Sequence, residues 1–253
     1  SRIKRLAGLI KTIKSRFPIQ VCLSAGLVNR EGVGILKEAG LNRLNHNLNT
    51  SKEHYPNVCT THTYTDRMDT LKAAREVGVE LCSGLIVGMG EDSDDVIEVA
   101  KTLQDLHVSS IPVNFLLPFD GNIFSAAPDI TPDYCLRVLC LFRLLNSDAE
   151  IRVAAGREVH LRSMEVMAFY PANSLFIDGY LNAKGASRSR TLKMIQDAGF
   201  TIKADQSLEH LLEIEKERGA SLSILNQGKP MKNLDELRPS LDARVISREN
   251  DGL

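Results

Sequence analysis

The sequence predicts an α/β fold, a (β/α)8 barrel of the TIM type with about six of the eight strands present in this chain. The first observation is an alternation of apolar runs of strand length with helix-period segments through the first 200 residues. That alternation is typical of a parallel sheet with crossover helices. The second observation is spacing: strand centres lie roughly 25 to 40 residues apart, so six strands fill about three quarters of a barrel.

The six candidate strands share runs of aliphatic residues and end at turn-forming residues. They are Pro18–Ser24, Leu44–Leu48, Glu80–Val87, Ser110–Leu117, Ile151–Ala155 and Asn173–Ile177. Helical periodicity predicts helices between them at Asn29–Ala39, Thr65–Val77, Ser93–Leu106, Thr131–Leu145 and Glu158–Phe169. Gly40 and Gly78 are predicted left-handed helix ends, and Thr131 before a first-turn proline is a predicted N-cap.

A further helical segment, Arg2–Lys14, has no strand before it, although a strand precedes each helix of a barrel. We therefore expect the chain to be truncated at its N-terminus, with two strands missing upstream. The alternative is an open, doubly wound sheet of six strands. Neither GxGxxG nor GxxxxGK follows the first candidate strand, so the phosphate loop of such a sheet is not found there.

Two regions are predicted along the chain. Residues 1–204 form the partial barrel, and residues 205–253 form a polar C-terminal tail. One amphipathic helix in the tail is indicated by apolar residues at helical spacing, namely Leu208, Leu211, Leu212 and Ile214.

The composition is that of a folded globular protein without a general attraction to polyanions. Its 31 lysines and arginines against 32 aspartates and glutamates leave a formal net charge of -1, which argues against nucleic acid or a membrane as partner. Leu81–Met89, among the longest apolar runs, falls far short of the roughly 20 residues of a membrane span. The basic N-terminal stretch has no apolar signal core, so a cytoplasmic location is predicted.

Three amides occupy alternate positions at the end of the second candidate strand. Asn45, Asn47 and Asn49 are two residues apart, so they share one face of the strand. An amide that points into a barrel is unfavourable unless it is hydrogen-bonded, so this face predicts a polar ligand. The alternative is that the strand lies near the rim, where the amides bind water or loops.

Polar or sulfur-bearing residues interrupt four other strands, at Cys22, Cys82, Asn114 and Arg152. The five cysteines are odd in number and widely spaced, which predicts free thiols or metal ligands. A buried arginine keeps its charge and needs an anion, which a metal cluster held by thiolates supplies. Cys22, Cys82 and Arg152 therefore indicate iron–sulfur ligation. The alternative is that the strand cysteines are small core residues.

The other three cysteines are predicted to be ordinary thiols. Cys59 falls in a loop, and Cys135 and Cys140 fall on an apolar helix face.

Seven short motifs follow one another in residues 1–203: NHNLNTS at 45–51, YPNVCTTHTY at 55–64, LCSG at 81–84, GMGE at 88–91, PVN at 112–114, RVAAGRE at 152–158 and ANS at 172–174. In this order they resemble the biotin synthase family of radical S-adenosylmethionine (radical SAM) enzymes. The resemblance implies a radical SAM barrel over residues 1–204 that includes the biotin and thiamin synthesis associated region.

The resemblance implies an enzyme of the sulfurtransferase type. Such an enzyme cleaves S-adenosylmethionine at a 4Fe-4S cluster and uses the resulting radical to insert sulfur into dethiobiotin. The sulfur comes from a 2Fe-2S cluster held by three cysteines and an arginine. Cys22, Cys82 and Arg152 match two of those cysteines and the arginine.

The resemblance also assigns ligand-binding roles. It places dethiobiotin against Asn45, Asn47 and Asn114. It places S-adenosylmethionine against Asn47, Asn49, Arg67 and Ile86. Some members of the family carry an aspartate at the position of Asn49.

Two features of the family are missing from this sequence. The third cluster cysteine has no counterpart, and no cysteines show the CxxxCxxC spacing that binds the 4Fe-4S cluster. The chain is therefore expected to be inactive alone. The family further implies a homodimer and an electron donor such as flavodoxin or ferredoxin.

Two other functions stay open. One is a barrel remnant that binds a small polar ligand without redox chemistry. The other is a related radical SAM enzyme, such as a hydrogenase-cofactor maturase or a thiamin-pathway enzyme. The strand cysteines with Arg152 disfavour the second, because the sulfur-donating cluster is the feature specific to biotin formation.

Overall fold

The structure is a computed structural model that describes residues 2–118, 124, 130–177, 179–180 and 183–219. One parallel sheet of seven strands organises it. The strands are β1 Cys22–Leu23, β2 Arg43–Asn45, β3 Glu80–Cys82, β4 Leu85–Val87, β5 Ser110–Phe115, β6 Glu150–Val153 and β7 Ser174–Leu175.

The strand order decides between the two predicted folds. Neighbours run β1, β2, β3, β5, β6, β7, with β4 also paired to β5, so the order never reverses. A doubly wound sheet reverses its order at a switch point, whereas a barrel adds each strand beside the previous one. The predicted partial (β/α)8 barrel is therefore confirmed, and the doubly wound alternative is wrong.

Helices connect the strands and cover one face of the sheet. They are α1 Arg2–Arg16, α2 Arg30–Glu38, α3 Tyr55–Val58, α4 Tyr64–Glu76, α5 Ser93–Asp105, α6 Pro132–Leu145, α7 Arg157–Leu161, α8 Arg188–Asp197 and α9 Leu208–Gly219. A 3-10 helix spans Arg162–Phe169, and β8 Gly179–Tyr180 pairs antiparallel with β9 Ala183–Lys184. Among the described residues, every helix is too short or too polar to cross a membrane.

The predicted helix ends follow ordinary capping chemistry with one exception. Gly40 and Gly78 have φ values of 101° and 71°, so both are the left-handed ends that were predicted. The Asn29 side chain accepts a hydrogen bond from the Gly32 backbone N–H at the start of α2. Thr131 occupies the N-cap position of α6, but its hydroxyl makes no capping hydrogen bond.

Two predicted elements are divided in the structure. The strand predicted at Glu80–Val87 breaks into β3 and β4 at residues 83–84. A Cβ on Gly84 would lie 1.9 Å from the Pro112 carbonyl oxygen, so the chain passes unusually close to β5 there. The helix predicted at Glu158–Phe169 changes to 3-10 geometry at Arg162, whose φ is 51°.

The main core lies between the sheet and its helices. Leu44 of β2, Ile111 of β5 and Ile151 of β6 are fully buried on that side of the sheet, against helix residues such as Leu36 and Leu139. The opposite face of the sheet is therefore the inner face of the partial barrel.

A second, smaller core joins α8 and α9 to the 3-10 helix. Its buried members are Phe169, Leu192, Ile195 and Leu208, with Leu211 and Leu212 packed against them. Of the tail predicted at residues 205–253, residues 220–253 lie outside the described residues.

Candidate iron–sulfur and cofactor site

The strand register collects polar side chains on the inner face. In a parallel sheet, residues paired in register point to the same side. Cys22 pairs with Arg43, Asn45 pairs with Cys82, and Arg152 pairs with Ser174. The polar or sulfur-bearing residues placed on this face by the pairing are Cys22, Arg43, Asn45, Glu80, Cys82, Ser110, Asn114, Glu150, Arg152 and Ser174.

The alternation predicted for the amides is present. Asn45, Asn47 and Asn49 are partly exposed, whereas His46 and Leu48 between them are buried on the helix side. The three amides therefore share the inner face, as the spacing of two residues predicts.

Two cysteine thiols meet on this face. The Cys22 thiol donates a hydrogen bond to Cys82, and this hydrogen bond is the largest cause of a fall in the pKa of Cys82 to about 6. Burial opposes the fall, while Ser110, Arg152 and Arg43 add to it. The same contact, together with burial, raises the pKa of Cys22. The contact thus favours ionisation of Cys82 over ionisation of Cys22, and thiolate is the form that binds metal.

Two arginines flank the thiols. Arg152 donates to the Ser174 hydroxyl at 3.0 Å and to Glu150, and its guanidinium lies 5.4 Å from the centre of the Phe176 ring. Arg43 reaches Glu80 at 2.9 Å. Both guanidinium groups favour negative charge on the sulfur atoms.

The amides predicted to bind substrate are already hydrogen-bonded within the sheet. The Asn45 amide donates to the Cys82 sulfur over 3.4 Å. The Asn114 amide donates to the Leu85 carbonyl at 3.1 Å and accepts from the Ala155 backbone N–H at 3.2 Å. Each carboxamide has two N–H groups and two acceptor lone pairs, so these contacts leave capacity for a further partner.

The four residues predicted to bind S-adenosylmethionine lie together. Arg67 of α4 donates to the Asn47 carbonyl at 2.6 Å. Asn49 has a φ of 73° and pairs through its backbone with β4, where its carbonyl accepts from Ile86 N–H at 2.9 Å. The Asn47 side chain accepts from the Gly84 backbone N–H at 3.2 Å, which closes the gap between β3 and β4.

A chain of hydrogen bonds extends from Arg67 to the surface. Arg67 donates to the Tyr55 hydroxyl, and that hydroxyl lies 3.0 Å from Nε2 of His62. Nδ1 of His62 is 3.5 Å from the Cys59 sulfur. Cys59, predicted to be an ordinary loop thiol, is thus part of a polar cluster that reaches the candidate cofactor site.

Sequence reasoning missed three charged residues of the inner face: Arg43, Glu80 and Glu150. Arg43 and Glu150 lie one residue before predicted strands that began at Leu44 and Ile151, and Glu80 is the first residue of its strand. The signal that could have found Glu150 was its position two residues before Arg152, which puts both side chains on one face of a strand.

The described residues contain part of the predicted ligand set of a metal cluster. Within them, no three His, Cys, Asp or Glu side chains converge to hold a metal ion. Cys22 and Cys82 are the two predicted soft ligands, and Arg152 is the third predicted one. A 2Fe-2S cluster with four protein ligands therefore fits this face with one ligand still to be supplied.

Comparison with known families divides the chain into two matching stretches. The Radical SAM superfamily profile matches residues 1–103, and the Biotin and Thiamin Synthesis associated domain matches residues 112–201. The chain is 53% identical over 207 residues to a biotin synthase of Acaryochloris marina (strain MBIC 11017). Over this stretch the chain is similar to biotin synthases.

The biotin synthases that match this chain are covered to a similar extent. The match to Acaryochloris marina covers 82% of this chain and 60% of that relative. A biotin synthase of Magnetococcus marinus is 53% identical, over 79% of this chain and 63% of its own length. One from Geobacillus thermodenitrificans is 47% identical, over 78% and 59%. The chain thus spans about 60% of the length of these relatives.

Solved structures share the fold at low sequence identity. Methylornithine synthase (PylB) superposes with a TM-score of 0.64 at 15% identity, over 78% of this chain and 63% of that one. The FeFe-hydrogenase maturase HydG of Carboxydothermus hydrogenoformans has a TM-score of 0.66 at 16% identity, over 79% and 52%. At these identities the likeness is one of fold.

Proposed function

We propose that this chain is the part of a biotin synthase that holds the sulfur-donating cluster and the substrate, for radical insertion of sulfur into dethiobiotin. The observation that carries the proposal is the convergence of Cys22, Cys82 and Arg152 on the inner face of the barrel. The similarity of the chain to biotin synthases supports it.

Cys22, Cys82 and Arg152 hold the 2Fe-2S cluster in this proposal, and that cluster supplies the sulfur atom. The lowered pKa of Cys82 supports the assignment, because a thiol that loses its proton more readily is more available as the thiolate that binds iron. Arg152 and Arg43 balance the negative charge that thiolates and sulfide bring into the barrel.

The 4Fe-4S cluster does not fit the residues of this chain. Its CxxxCxxC loop is absent from the 253 residues. The residues proposed for S-adenosylmethionine are Asn47, Asn49, Arg67 and Ile86. Arg67 offers a cation suited to the methionine carboxylate, and Ile86 offers an apolar contact on the inner face.

Dethiobiotin is proposed to lie against Asn45, Asn47 and Asn114. Its cyclic urea carries two N–H donors and a carbonyl acceptor, and carboxamides can satisfy both kinds of group. Asn45 touches the Cys82 sulfur, so a substrate bound at this amide lies next to the sulfur site.

Further parts of the proposal rest on the family alone. The working unit is a homodimer located in the cytoplasm. Its electrons come from a flavodoxin or ferredoxin.

The test is anaerobic iron and sulfide analysis with an absorption spectrum, on the full-length polypeptide that carries this chain. We expect two cluster types in the parent, and loss of the two-iron spectrum and of biotin formation in Cys82→Ala. Arg152→Ala is expected to keep iron but to change the two-iron spectrum, because one ligand is exchanged. Dethiobiotin turnover is measured on the same samples.

Cys140→Ala is the matched control, since this exposed cysteine lies on α6, away from the inner face. It should retain both clusters and full turnover. A parent without iron, or a two-iron spectrum that is unchanged in Cys82→Ala, would exclude the proposed function and leave a barrel that binds a polar ligand.

A further inference from the structure

Glu150, at the start of β6, lies between the two arginines of the inner face. Its Oε2 atom is 3.5 Å from Nη1 of Arg43, and its Oε1 atom accepts from Nη2 of Arg152. One carboxylate therefore bridges two guanidinium groups. Arg43 belongs to β2 and Arg152 belongs to β6, and β3 and β5 lie between these two strands.

Arg43 also binds a second carboxylate, that of Glu80. Nε and Nη2 of Arg43 donate to Glu80 at 3.2 and 2.9 Å. The side chains of Arg43, Arg152 and Glu150 are only 20%, 23% and 30% exposed, so their mutual attraction is weakly screened by solvent. The Glu80 side chain is more exposed, at 55%, than those of Arg43, Arg152 and Glu150.

The strand register puts Glu150 in the same row of residues as Cys82. Cys82 pairs with Ser110 of β5, and Ser110 pairs with Glu150 of β6, so these three residues form one row across the inner face. Arg152 follows Glu150 by two residues and points to the same side. The bridge therefore crosses the face at the level of the Cys82 thiol.

We propose that Glu150 is a positioning residue for the cluster site. Its carboxylate fixes the Arg152 guanidinium beside Cys22 and Cys82. The same carboxylate holds Arg43 at this site as a second cation. This inference rests on the proposed function. A free arginine side chain samples many rotamers, and holding it in one of them has an entropic cost. Glu150 and Ser174 together restrain Arg152 from two sides before any cluster binds.

The charge of Glu150 also acts on the cluster itself. The reduction potential of an iron–sulfur cluster depends on the net charge around it. Removing the negative charge of Glu150 stabilises the reduced cluster, which carries one more electron. Removing the positive charge of Arg43 has the opposite effect. The two substitutions are thus expected to shift the potential in opposite directions.

The test compares Glu150→Gln with Asp148→Asn in the full-length polypeptide, with the midpoint potential of the two-iron cluster and the rate of iron release to a chelator as readouts. Asp148 is exposed and lies two residues before Glu150, so its substitution makes the same change in charge away from the inner face. We expect Glu150→Gln to raise the potential and to release iron about tenfold faster, as outer-shell substitutions do. Asp148→Asn should match the parent.

Arg43→Gln is the second variant, and we expect it to lower the potential. Opposite shifts in the two variants support the proposal, because a general loosening of the fold moves both in the same direction. If Glu150→Gln does not fold, a fall in potential in Arg43→Gln still supports the proposal and an unchanged potential overturns it.

The outcomes separate the two proposals. A parent without a two-iron cluster overturns the proposed function, and this inference with it. A parent with the cluster, in which Glu150→Gln behaves as Asp148→Asn, overturns only the role of Glu150.

Discussion

At the scale of single residues, Cys59 differs from an ordinary surface thiol. Its sulfur lies 3.4 Å from the Thr61 hydroxyl and 3.5 Å from Nδ1 of His62. The hydrogen bond from Thr61 is the largest cause of a fall in the pKa of Cys59 to about 7, with further help from backbone N–H groups and Tyr55. A substantial fraction of this thiol is therefore ionised at neutral pH.

We expect the alkylation rate of Cys59 by iodoacetamide to reach half its maximum near pH 7, because the thiolate is the reactive form. Thr61→Val removes the main hydrogen bond and should move the midpoint toward the usual thiol value of about 8.5. The rate is followed by mass spectrometry of the Cys59 peptide. A midpoint that is the same with and without the Thr61 hydroxyl would show that the local contacts do not set the ionisation.

The sequence predicted the site best where a polar residue stands alone among aliphatic ones. Cys22, Cys82 and Arg152 are such residues, and the structure brings them to one face. Glu150 and Arg43 were missed because a charged residue at a strand end looks the same in sequence whether it faces solvent or the barrel. The spacing of two residues from Arg43 to Asn45 and from Glu150 to Arg152 indicates a shared face, and the register, which pairs distant segments, shows that this face is the inner one.

At the scale of elements, the break between β3 and β4 marks a close approach of two strands. The sequence predicted one strand over Glu80–Val87, because its apolar run is interrupted only by small residues. Gly84 lets the backbone come so near to Pro112 that a side chain has no room. This close contact depends on a residue 28 positions away, so local sequence patterns do not reveal it.

We expect Gly84→Ala to destabilise the fold by about 3 kcal/mol or more, because its Cβ would lie 1.9 Å from the Pro112 oxygen. Gly34→Ala is the matched control. Gly34 lies within α2, and no neighbouring atom lies within 4 Å of the place that an added Cβ would take, so alanine should stabilise that helix by about 0.5–1 kcal/mol. Urea unfolding gives both free energies, and equal effects would contradict the steric explanation.

At the scale of the whole molecule, a buried ion-pair network joins the barrel to the second core. Arg157 of α7 is 1% exposed and contacts Glu165 of the 3-10 helix, which is 3% exposed. Glu165 also accepts from Arg190 of α8 at 3.0 Å. The network thus ties α8, and with it α9, to the end of β6.

Glu165→Gln should lower the free energy of unfolding by about 2 kcal/mol, because the buried Arg157 guanidinium then keeps only Glu158, at 2.9 Å, as an ion-pair partner. Arg190→Gln removes the other contact, but Arg190 is 56% exposed, so the loss should stay below about 1 kcal/mol. Both are measured by urea unfolding. Similar losses of unfolding free energy in the two variants would show that burial does not determine the strength of these ion pairs.

The order of elements was predictable because helical and strand periodicities differ over long segments. The hairpin of β8 and β9 was not predicted, since strands of two residues are too short to show an alternation. The division of the helix at Arg162 also escaped prediction, because its positive φ depends on tertiary packing and not on local propensity.

The polar inner face has a consequence for finding what the protein binds. A barrel usually fills its interior with aliphatic side chains, whereas this face presents amides, thiols and paired charges. A compound that satisfies these groups binds only the native state and so raises its stability, by about 2.7 kcal/mol at a concentration of 100 times Kd. The melting temperature of the protein can therefore rank a library of unrelated compounds before any reaction is assayed.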